Sequence, residues 1–516
     1  MLEEKAEELL QAPSSPKDLD LERLPSVYQP LNTFNLPKGE QKHYKQQYGD
    51  MYFLRLAKLK PIVEEIAEKA WEGSEIAGAK ARKVERVLDV RQGELCWVAG
   101  TVYMDMPLKP NILNDIAKDQ WIAAPPPRDK YFSTDGSDTI MLEDESGRLQ
   151  LTGAFLKTTM LVTGCIIAVI GTENSQGEFE VVDIRVPDLP PQPKRWERDT
   201  SNSKPRTQKA SRLRNKIALI SGLSITGADD DLLPLNLLTE YLLGEAGGTS
   251  DSESASQISR LIIAGGCISP AVPLVHLDPD HETHHKKYGY DASAYNPAPI
   301  THLDDFLSEI LPSIPVTLLP GENDPANASL PQQGLHPAMF SHAKAYVAQP
   351  GSGEHGWFDS VTNPWEGDID GWQIMGNGGQ PIDDMYKYLE GDDRIGMIEC
   401  LLRWNCAAPT APDTLWCYPF QDIDPFVISS CPHIFFVGNQ PHFDTHRIHG
   451  REGQQVRLIA IPKFRDTGEM VLLDMESLEV EVAKIEVFEG LDAGVKKEEE
   501  EAKNESGGGS GDEMVQ

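Results

Sequence analysis

The apolar residues near the start of the chain recur at helical spacing. Between residues 44 and 71 they lie three or four positions apart, with lysine and glutamate between them, which predicts an amphipathic helix. A proline-rich stretch precedes this helix and is expected to be extended. We interpret residues 1–88 as an N-terminal extended and helical segment that docks against the rest of the chain.

A different pattern begins near Gln92, where short runs rich in β-branched and aromatic residues are separated by glycine. The predicted strands are residues 95–103, 139–144, 148–151, 161–170 and 179–184. Five strands within residues 89–190 indicate a small barrel of the oligonucleotide/oligosaccharide-binding (OB) type. The strands carry few basic residues, and their aromatic residues alternate as in a core. This favours a structural or protein-binding barrel over one that grips single-stranded nucleic acid.

The pattern changes again at residues 216–488, which we predict to be an α/β domain. Buried strand runs at 217–220 and 261–264 bracket a helical run at 232–243, which predicts a β-α-β unit with a parallel sheet. Further strands are expected at 315–319 and 433–437, with closing antiparallel strands at 456–461 and 471–473. The polar stretches 271–298 and 349–365 are interpreted as surface loops.

Two segments are predicted to lie outside the folded units. Residues 191–215 form a Pro-rich linker that becomes basic; a mobile surface segment, a nuclear import signal and a DNA-facing patch all remain open for it. Residues 489–516 are acidic and rich in glycine, which predicts a disordered tail.

Charge and cysteine usage narrow the class of protein. The chain of 516 residues carries a formal net charge of -34, which disfavours tight, direct DNA binding and favours protein partners. The seven cysteines are scattered, which is typical of reduced, buried thiols; this interpretation is preferred to a metal site at Cys400, Cys406 and Cys417. With no signal peptide and no apolar run of membrane length, a soluble intracellular protein is expected, without membrane contact.

Four strand ends in the α/β region share one layout, an apolar strand followed by a small residue and a polar turn. They lie at residues 221–223, 265–267, 321–324 and 438–442. Polar loops at the carboxyl ends of sheet strands are where α/β folds place their sites. The order and spacing resemble the calcineurin-like two-metal phosphoesterases, whose strand ends carry aspartate and histidine ligands.

The ligands that such a site needs are missing from the corresponding positions. A two-metal centre requires converging carboxylates and imidazoles. The positions that we interpret as vestigial are Ser221, Leu223, Gly266, Glu322, Asn323, Asp324, Asn439 and Pro441, of which only Asp324 keeps the ligand type. The fold class expected is therefore an OB-type barrel followed by a calcineurin-like phosphoesterase α/β sandwich that lacks metal ligands, with no catalytic residue. The His281, His284 and His285 cluster is interpreted as solvated.

An OB-like barrel followed by a phosphoesterase fold without its metal ligands resembles the domain arrangement of the B subunits of the replicative DNA polymerases. Within that group, five segments resemble the second-subunit family of polymerase delta. They are residues 303–307, 320–327, 330–337, 409–415 and 424–426. The segments 271–298 and 348–358 are longer than the family pattern.

The resemblance implies a noncatalytic scaffold of the polymerase complex. Such subunits bind the C-terminal domain of the catalytic subunit, which carries an iron–sulfur cluster in this family, and a third subunit that contacts the sliding clamp. It implies no cofactor on this chain, a nuclear location, roles in replication and repair synthesis, and at most weak contact with DNA. The equivalent accessory chain of another replicative polymerase and a divergent metal phosphoesterase are the alternatives.

Two turns rich in proline and glycine are candidates for partner binding. Their residues are Gly321 and Pro325 in one turn, and Pro409, Thr410, Pro412, Asp413 and Thr414 in the other. Rigid turns lower the ordering entropy of binding, but they also fix the shape of a fold internally. Both interpretations remain open from sequence.

Overall fold

The computed structural model describes residues 23–39, 48–76, 78–110, 128–195, 215–246, 248–270, 296–349 and 355–486. Most of the predicted basic linker, most of the polar stretch 271–298 with its three histidines, and the acidic tail lie outside these residues. No helix of the described residues is long and apolar enough to cross a membrane.

The N-terminal part of the described chain is a strap, residues 23–39, followed by a long helix. The strap contains strand β1 (Tyr28–Pro30), and helix α1 spans Gly49–Trp71. Arg23 donates to the carbonyl oxygens of Leu242, Ala255 and Ile258 at 2.8–3.0 Å. The amphipathic helix predicted for residues 44–71 is confirmed from Gly49 onward, because its apolar side packs on the outside of the barrel.

The barrel is built from strands β4 to β9, and a separate two-stranded sheet, β2 with β3, precedes it. They are β2 (Glu75–Ile76), β3 (Ala79–Lys80), β4 (Arg82–Lys83), β5 (Leu95–Asp105), β6 (Thr139–Glu143), β7 (Arg148–Thr152), β8 (Ile166–Glu173) and β9 (Glu178–Arg185). The order β4-β5-β6-β7-β9-β8 closes through an antiparallel pairing of β5 with β8. The predicted strand at 161–170 was too long, because residues 161–165 form a turn at Gly164, where φ is +93°.

The α/β domain contains two six-stranded sheets. Its strands are β10 (Lys216–Ile220), β11 (Ile258–Ala264), β12 (Val316–Leu319), β13 (Phe358–Ser360), β14 (Trp365–Ile369), β15 (Trp372–Asn377), β16 (Ile434–Gln440), β17 (Asp444–His449), β18 (Gln455–Pro462), β19 (Glu469–Asp474) and β20 (Val480–Lys484). Sheet one runs β1-β14-β15-β16-β18-β17, and sheet two runs β13-β12-β11-β10-β19-β20. The two sheets pack face to face around Trp365, Phe436 and their neighbours.

Helices cover the outer face of each sheet and give a four-layer α-β-β-α arrangement. Sheet two is covered by α2 (Leu232–Leu243) and α4 (Ala298–Ile310), beside α3 (Thr249–Ser256). Sheet one is covered by α5 (Gln380–Tyr388) and α6 (Arg394–Arg403), and α7 (Phe464–Thr467) follows β18. The predicted β10-α2-β11 unit with parallel strands is confirmed.

Two expectations in this domain need correction. Strand β19 is antiparallel to β10 as expected, but β18 is parallel to β16 and antiparallel only to β17. The stretch 349–365, interpreted as one loop, contains the edge strand β13, which pairs with β12. A short strand with one buried residue carries too little apolar pattern to be seen in sequence.

The barrel and the α/β domain share one continuous core. Barrel residues such as Val98 and Leu142 belong to the same buried cluster as Met385 and Phe435 on the helix side of sheet one. Across this junction the Lys130 ammonium donates to the carbonyl oxygens of α5 and of the loop after it, at 2.6–3.1 Å. The two units are therefore held as a single body in the described residues.

Candidate functional site at the strand ends

The carboxyl ends of four strands from the two sheets meet at one edge of the α/β domain. They are the ends of β10, β11 and β12, which are parallel to one another in sheet two, and of β16, which is parallel to β15 and β18 in sheet one. The meeting is close: a Cβ built on Gly438 would overlap the carbonyl oxygen of Ala264 and lie 3.1 Å from the Ser221 Cβ. This edge is the place that sequence reasoning assigned to the site.

Ser221 and Asn439 bind each other there. The Ser221 hydroxyl donates to the carbonyl oxygens of Ile461 and Pro462, and accepts from the backbone N–H of Asn439 at 2.8 Å. Asn439 has a φ of +58°, and its amide donates to the carbonyl oxygens of Gly378 at 2.8 Å and Ala264 at 3.3 Å. Both polar side chains are therefore engaged with protein backbone.

Gly266 and Gly321 allow the strand ends to come together. A Cβ on Gly266, whose φ is +70°, would overlap the Asn439 side-chain oxygen. A Cβ on Gly321 would overlap the backbone nitrogen of Gly266. The Asn439 amide thus occupies the volume that any side chain at position 266 would need.

Asp324 points inward but is engaged by backbone donors. Its carboxylate accepts from the N–H groups of Gly321 at 2.7 Å, Cys267 at 3.2 Å and Ile268 at 2.9 Å. Burial raises the pKa of Asp324, while these N–H donors act in the opposite direction. The carboxylate fixes the turn after β12 to the turn after β11.

A network of amide side chains that sequence reasoning missed fills the adjoining volume. The Asn363 amide donates to the side-chain oxygens of Gln332 and Gln380, both at 2.9 Å. Gln332 in turn donates to the Gly321 carbonyl at 3.0 Å, and Gly378 N–H donates to Asn363 at 2.9 Å. Gln332 lies within a segment that resembled the polymerase family, but a single sequence holds no signal for Asn363 or Gln380.

The remaining predicted positions do not converge on this point. Leu223 is buried in the core on the helix side of sheet two. Glu322, Asn323 and Pro441 are exposed around the edge. Among the described residues, no group of three or more histidine, cysteine, aspartate or glutamate side chains could hold a metal ion. Where the described strand ends meet, the side chains are the amide of Asn439, the hydroxyl of Ser221 and the carboxylate of Asp324, and each is hydrogen-bonded to backbone groups.

The turn at residues 409–414 lies at the joint between helix α1, the barrel and the α/β domain. Arg55 of α1 donates to the carbonyl oxygens of Pro409 at 3.1 Å and Ala411 at 3.0 Å, and forms a buried ion pair of 2.8 Å with Asp424. A Cβ on Gly164 of the barrel would overlap the Pro409 carbonyl oxygen. The turn therefore contacts each of the three parts.

The far side of the same turn binds α5. The Tyr388 hydroxyl donates to Asp413 at 3.1 Å, and the Thr414 hydroxyl donates to Asp384 at 2.6 Å. Burial raises the pKa of both Tyr388 and Asp384. Lys109 forms an ion pair with Asp413. Buried polar contacts of this kind fix one arrangement of the domains.

The three neighbouring cysteines lie in or beside the core. Cys406 and Cys417 are buried, and Cys400 packs against the same cluster. Burial raises the pKa of Cys400 and of Cys417 to about 12. These thiols are protonated at neutral pH and pack as small apolar groups.

Comparison with known proteins decides the family. The model of the DNA polymerase delta subunit OB-fold domain matches residues 47–184, and that of the alpha/epsilon-type B subunits of DNA polymerases matches residues 217–445. The chain is 34% identical to a DNA polymerase delta small subunit of Saccharomyces cerevisiae, over 90% of this chain and 94% of the relative. The chain belongs to the DNA polymerase delta small-subunit family.

Other members of the small-subunit family match over a similar span. A DNA polymerase delta small subunit of Oryza sativa is 36% identical over 89% of this chain and 97% of the relative. DNA polymerase delta subunit 2 of Drosophila melanogaster is 31% identical over 90% of this chain and 99% of the relative. The family assignment and the OB barrel predicted from sequence are thereby confirmed, and the family is that of an accessory subunit of a replicative polymerase.

Proposed function

We propose that the chain is a noncatalytic scaffold of the polymerase delta complex. In this proposal it bridges the C-terminal domain of the catalytic subunit and a third subunit that contacts the sliding clamp. It acts in the nucleus, in replication and repair synthesis, and touches DNA at most weakly. The observation that carries the proposal is the filled edge of the α/β domain, where Asn439 occupies the space beside Gly266.

The α/β domain is proposed to be an inactivated calcineurin-like phosphoesterase. Two facing sheets with helices outside, and turns from four strand ends at one edge, support this ancestry. The residues proposed to stand in former ligand positions are Ser221, Leu223, Gly266, Glu322, Asn323, Asp324, Asn439 and Pro441. Hard divalent cations bind groups of oxygen and nitrogen ligands, and amides bound to backbone carbonyls are poor replacements for them.

A rigid body without a catalytic centre suits a subunit whose task is assembly. The shared core of the barrel and the α/β domain presents preformed surfaces, which lowers the entropy cost of binding. The contacts of Pro409, Asp413 and Thr414 favour a shape-fixing role for the 409–414 turn, and the close approach of Gly321 to Gly266 favours the same role for the 321–325 turn. We propose that no cofactor binds this chain and that the iron–sulfur cluster belongs to the catalytic partner.

Co-expression with the two partner subunits tests the scaffold proposal. The full chain should form a stable ternary complex with the catalytic subunit's C-terminal domain and the third subunit, and neither partner should bind the other without it. Metal analysis of the purified chain should find no stoichiometric Mn, Zn or Fe, and the chain should not hydrolyse a phosphodiester. Stoichiometric metal together with turnover would show that the domain is a working phosphoesterase.

A further inference from the structure

A pocket of about 860 Å³ opens between the start of helix α2, helix α7 and the end of strand β20. Its floor belongs to the buried cluster on the helix side of sheet two and includes Ile225, Leu235 and Phe464. At its rim Leu233, in the first turn of α2, is 52% exposed, and the neighbouring Leu232 is 39% exposed. Two adjacent leucines that face water beside an apolar floor are typical of a surface that another molecule covers.

The charges around this pocket are predominantly negative. Five carboxylates and two cationic side chains line it, and we call it the acidic pocket. The Arg465 guanidinium is paired with Asp231, and the Lys484 ammonium is paired with Glu486 at 2.7 Å. The other three carboxylates are exposed and have no ion-pair partner among the described residues; they are Asp229, Asp230 and Asp466.

Helix capping accounts for only part of this negative charge. Asp231 closes the turn before α2, because its carboxylate accepts from the backbone N–H groups of Thr226 at 2.7 Å and Gly227 at 2.8 Å. Asp229 and Asp230 lie just before α2, where negative charge is favoured, but Asp466 belongs to α7. Within the described residues these carboxylates form no group that could hold a metal ion. The counter-charge that fits the acidic pocket is therefore that of cationic side chains from another molecule.

We infer that the acidic pocket receives a basic segment of a partner subunit, in which lysine or arginine side chains flank an apolar side chain. The apolar side chain packs on Leu233 and the floor, and the cations pair with Asp230 and Asp466. The inference rests on the proposed function, since it takes the segment to come from another subunit of the complex. Nucleic acid is disfavoured, because its phosphates would face the unpaired carboxylates of the described pocket.

Site-specific photocrosslinking in the assembled complex tests the inference. Benzoylphenylalanine replaces Leu233, which lines the acidic pocket, or Glu240, which is exposed about 10 Å further along the same helix and does not line it. The ternary complex of the full chain with both partner subunits is irradiated with single-stranded DNA present, and the linked peptides are identified by mass spectrometry. The expected result is a crosslink from position 233, absent from position 240, to a segment of a partner subunit with net positive charge.

A synthetic peptide with the sequence of that segment then measures the contribution of each group. Its binding to the full chain is followed by fluorescence anisotropy at low and at high salt. Asp230→Asn should weaken binding about threefold to fivefold at low salt and much less at high salt, because added ions screen an exposed ion pair. Glu240→Gln removes one charge from the same helix outside the pocket and should change binding less than about 1.5-fold. Leu233→Ser should weaken binding about fivefold at either salt concentration, since its contribution is apolar.

The outcomes separate this inference from the scaffold proposal. Assembly of the complex without a crosslink from position 233, or with the same crosslink from both positions, overturns the inference and leaves the scaffold proposal standing. A crosslink from position 233 to DNA, to an acidic or neutral segment, or to residues 196–214 of the chain itself also overturns it. So does equal binding of the peptide by Asp230→Asn and the unmodified chain at low salt. If the unmodified chain fails to assemble with its partners, both proposals fall.

Discussion

Replacing Arg55 with methionine tests whether one buried ion pair locks helix α1 to the α/β domain. The exposed fractions of the Arg55 and Asp424 side chains are 6% and 0%, and their charged atoms lie 2.8 Å apart. The same guanidinium also donates hydrogen bonds to the carbonyl oxygens of Pro409 and Ala411. Methionine keeps the length and apolar character of the stem but leaves the Asp424 carboxylate inside the protein without a counter-charge.

The expected loss follows from the burial of both partners. Removing one member of a buried pair costs about 3–5 kcal/mol, because the remaining charge is uncompensated. This corresponds to a fall of roughly two to four powers of ten in the folding equilibrium constant. Adding Asp424→Asn should recover part of the loss because it removes the stranded charge, although the Asp424 oxygen also accepts from Phe426 N–H at 3.0 Å.

Urea unfolding followed by tryptophan fluorescence measures this loss. Trp71 of α1 lies 5.9 Å from Trp97 of the barrel, ring centre to ring centre, so separation of α1 from the barrel contributes to the change in fluorescence on unfolding. Lys69→Met on the same helix is the control, because Lys69 and its partner Glu65 are exposed, and the unfolding midpoint should not move. If Arg55→Met lowers the free energy of unfolding by less than about 1 kcal/mol, the ion pair does not hold helix α1 on the α/β domain.

Three further outcomes are expected. Gly164→Ala should destabilise the chain by at least about 2 kcal/mol more than Gly453→Ala in urea titrations, because both glycines have φ near +90° but only Gly164 faces a carbonyl oxygen. Gly266→Asp should lower the unfolding free energy by about 1–3 kcal/mol, since its side chain overlaps Asn439, and tight Mn²⁺ binding by this variant in calorimetry would contradict that account. Burial raises the folded pKa of Asp324, so its stabilising contribution is present below about pH 3.9 and is lost as pH rises through the folded pKa. Urea unfolding from pH 3 upward should show wild type losing stability relative to Asp324→Asn; a gain would mean that the N–H donors outweigh burial.

The parts of the fold that sequence predicted are those whose signal is local. Helix α2 begins and ends where the apolar run does, and Gly244, with a φ of +80°, follows it as a C-terminal cap. Strands β10, β11 and β16 each contain a continuous apolar run of four residues, because both faces of their sheets are covered. The direction of β18 depends on which strand lies beside it, which no local pattern records.

The candidate site likewise combines features that have a local sequence signal with features that depend on contacts between distant residues. Its position was predictable, because small and polar residues such as Ser221 and Gly266 follow buried strands. Its contents were not, since the match between the missing side chain at Gly266 and the amide of Asn439 joins residues from two different sheets. The network of Gln332, Asn363 and Gln380 depends likewise on the packing of distant loops. The side chains that fill the space between the strand ends could not be predicted from sequence.

The N-terminal strap has a consequence for how the chain is made. The backbone N–H of Val27 donates to Asp370, which lies 343 residues further along the chain. At roughly 5–20 residues per second, a ribosome needs roughly 20–70 s to supply that partner. Residues 27–30 are therefore synthesised well before the strand edge that fixes them in place. A chain that lacks the strap, residues 23–39, would leave the edge of β14 open to strands of other molecules. The expected defect is aggregation during expression rather than loss of the barrel.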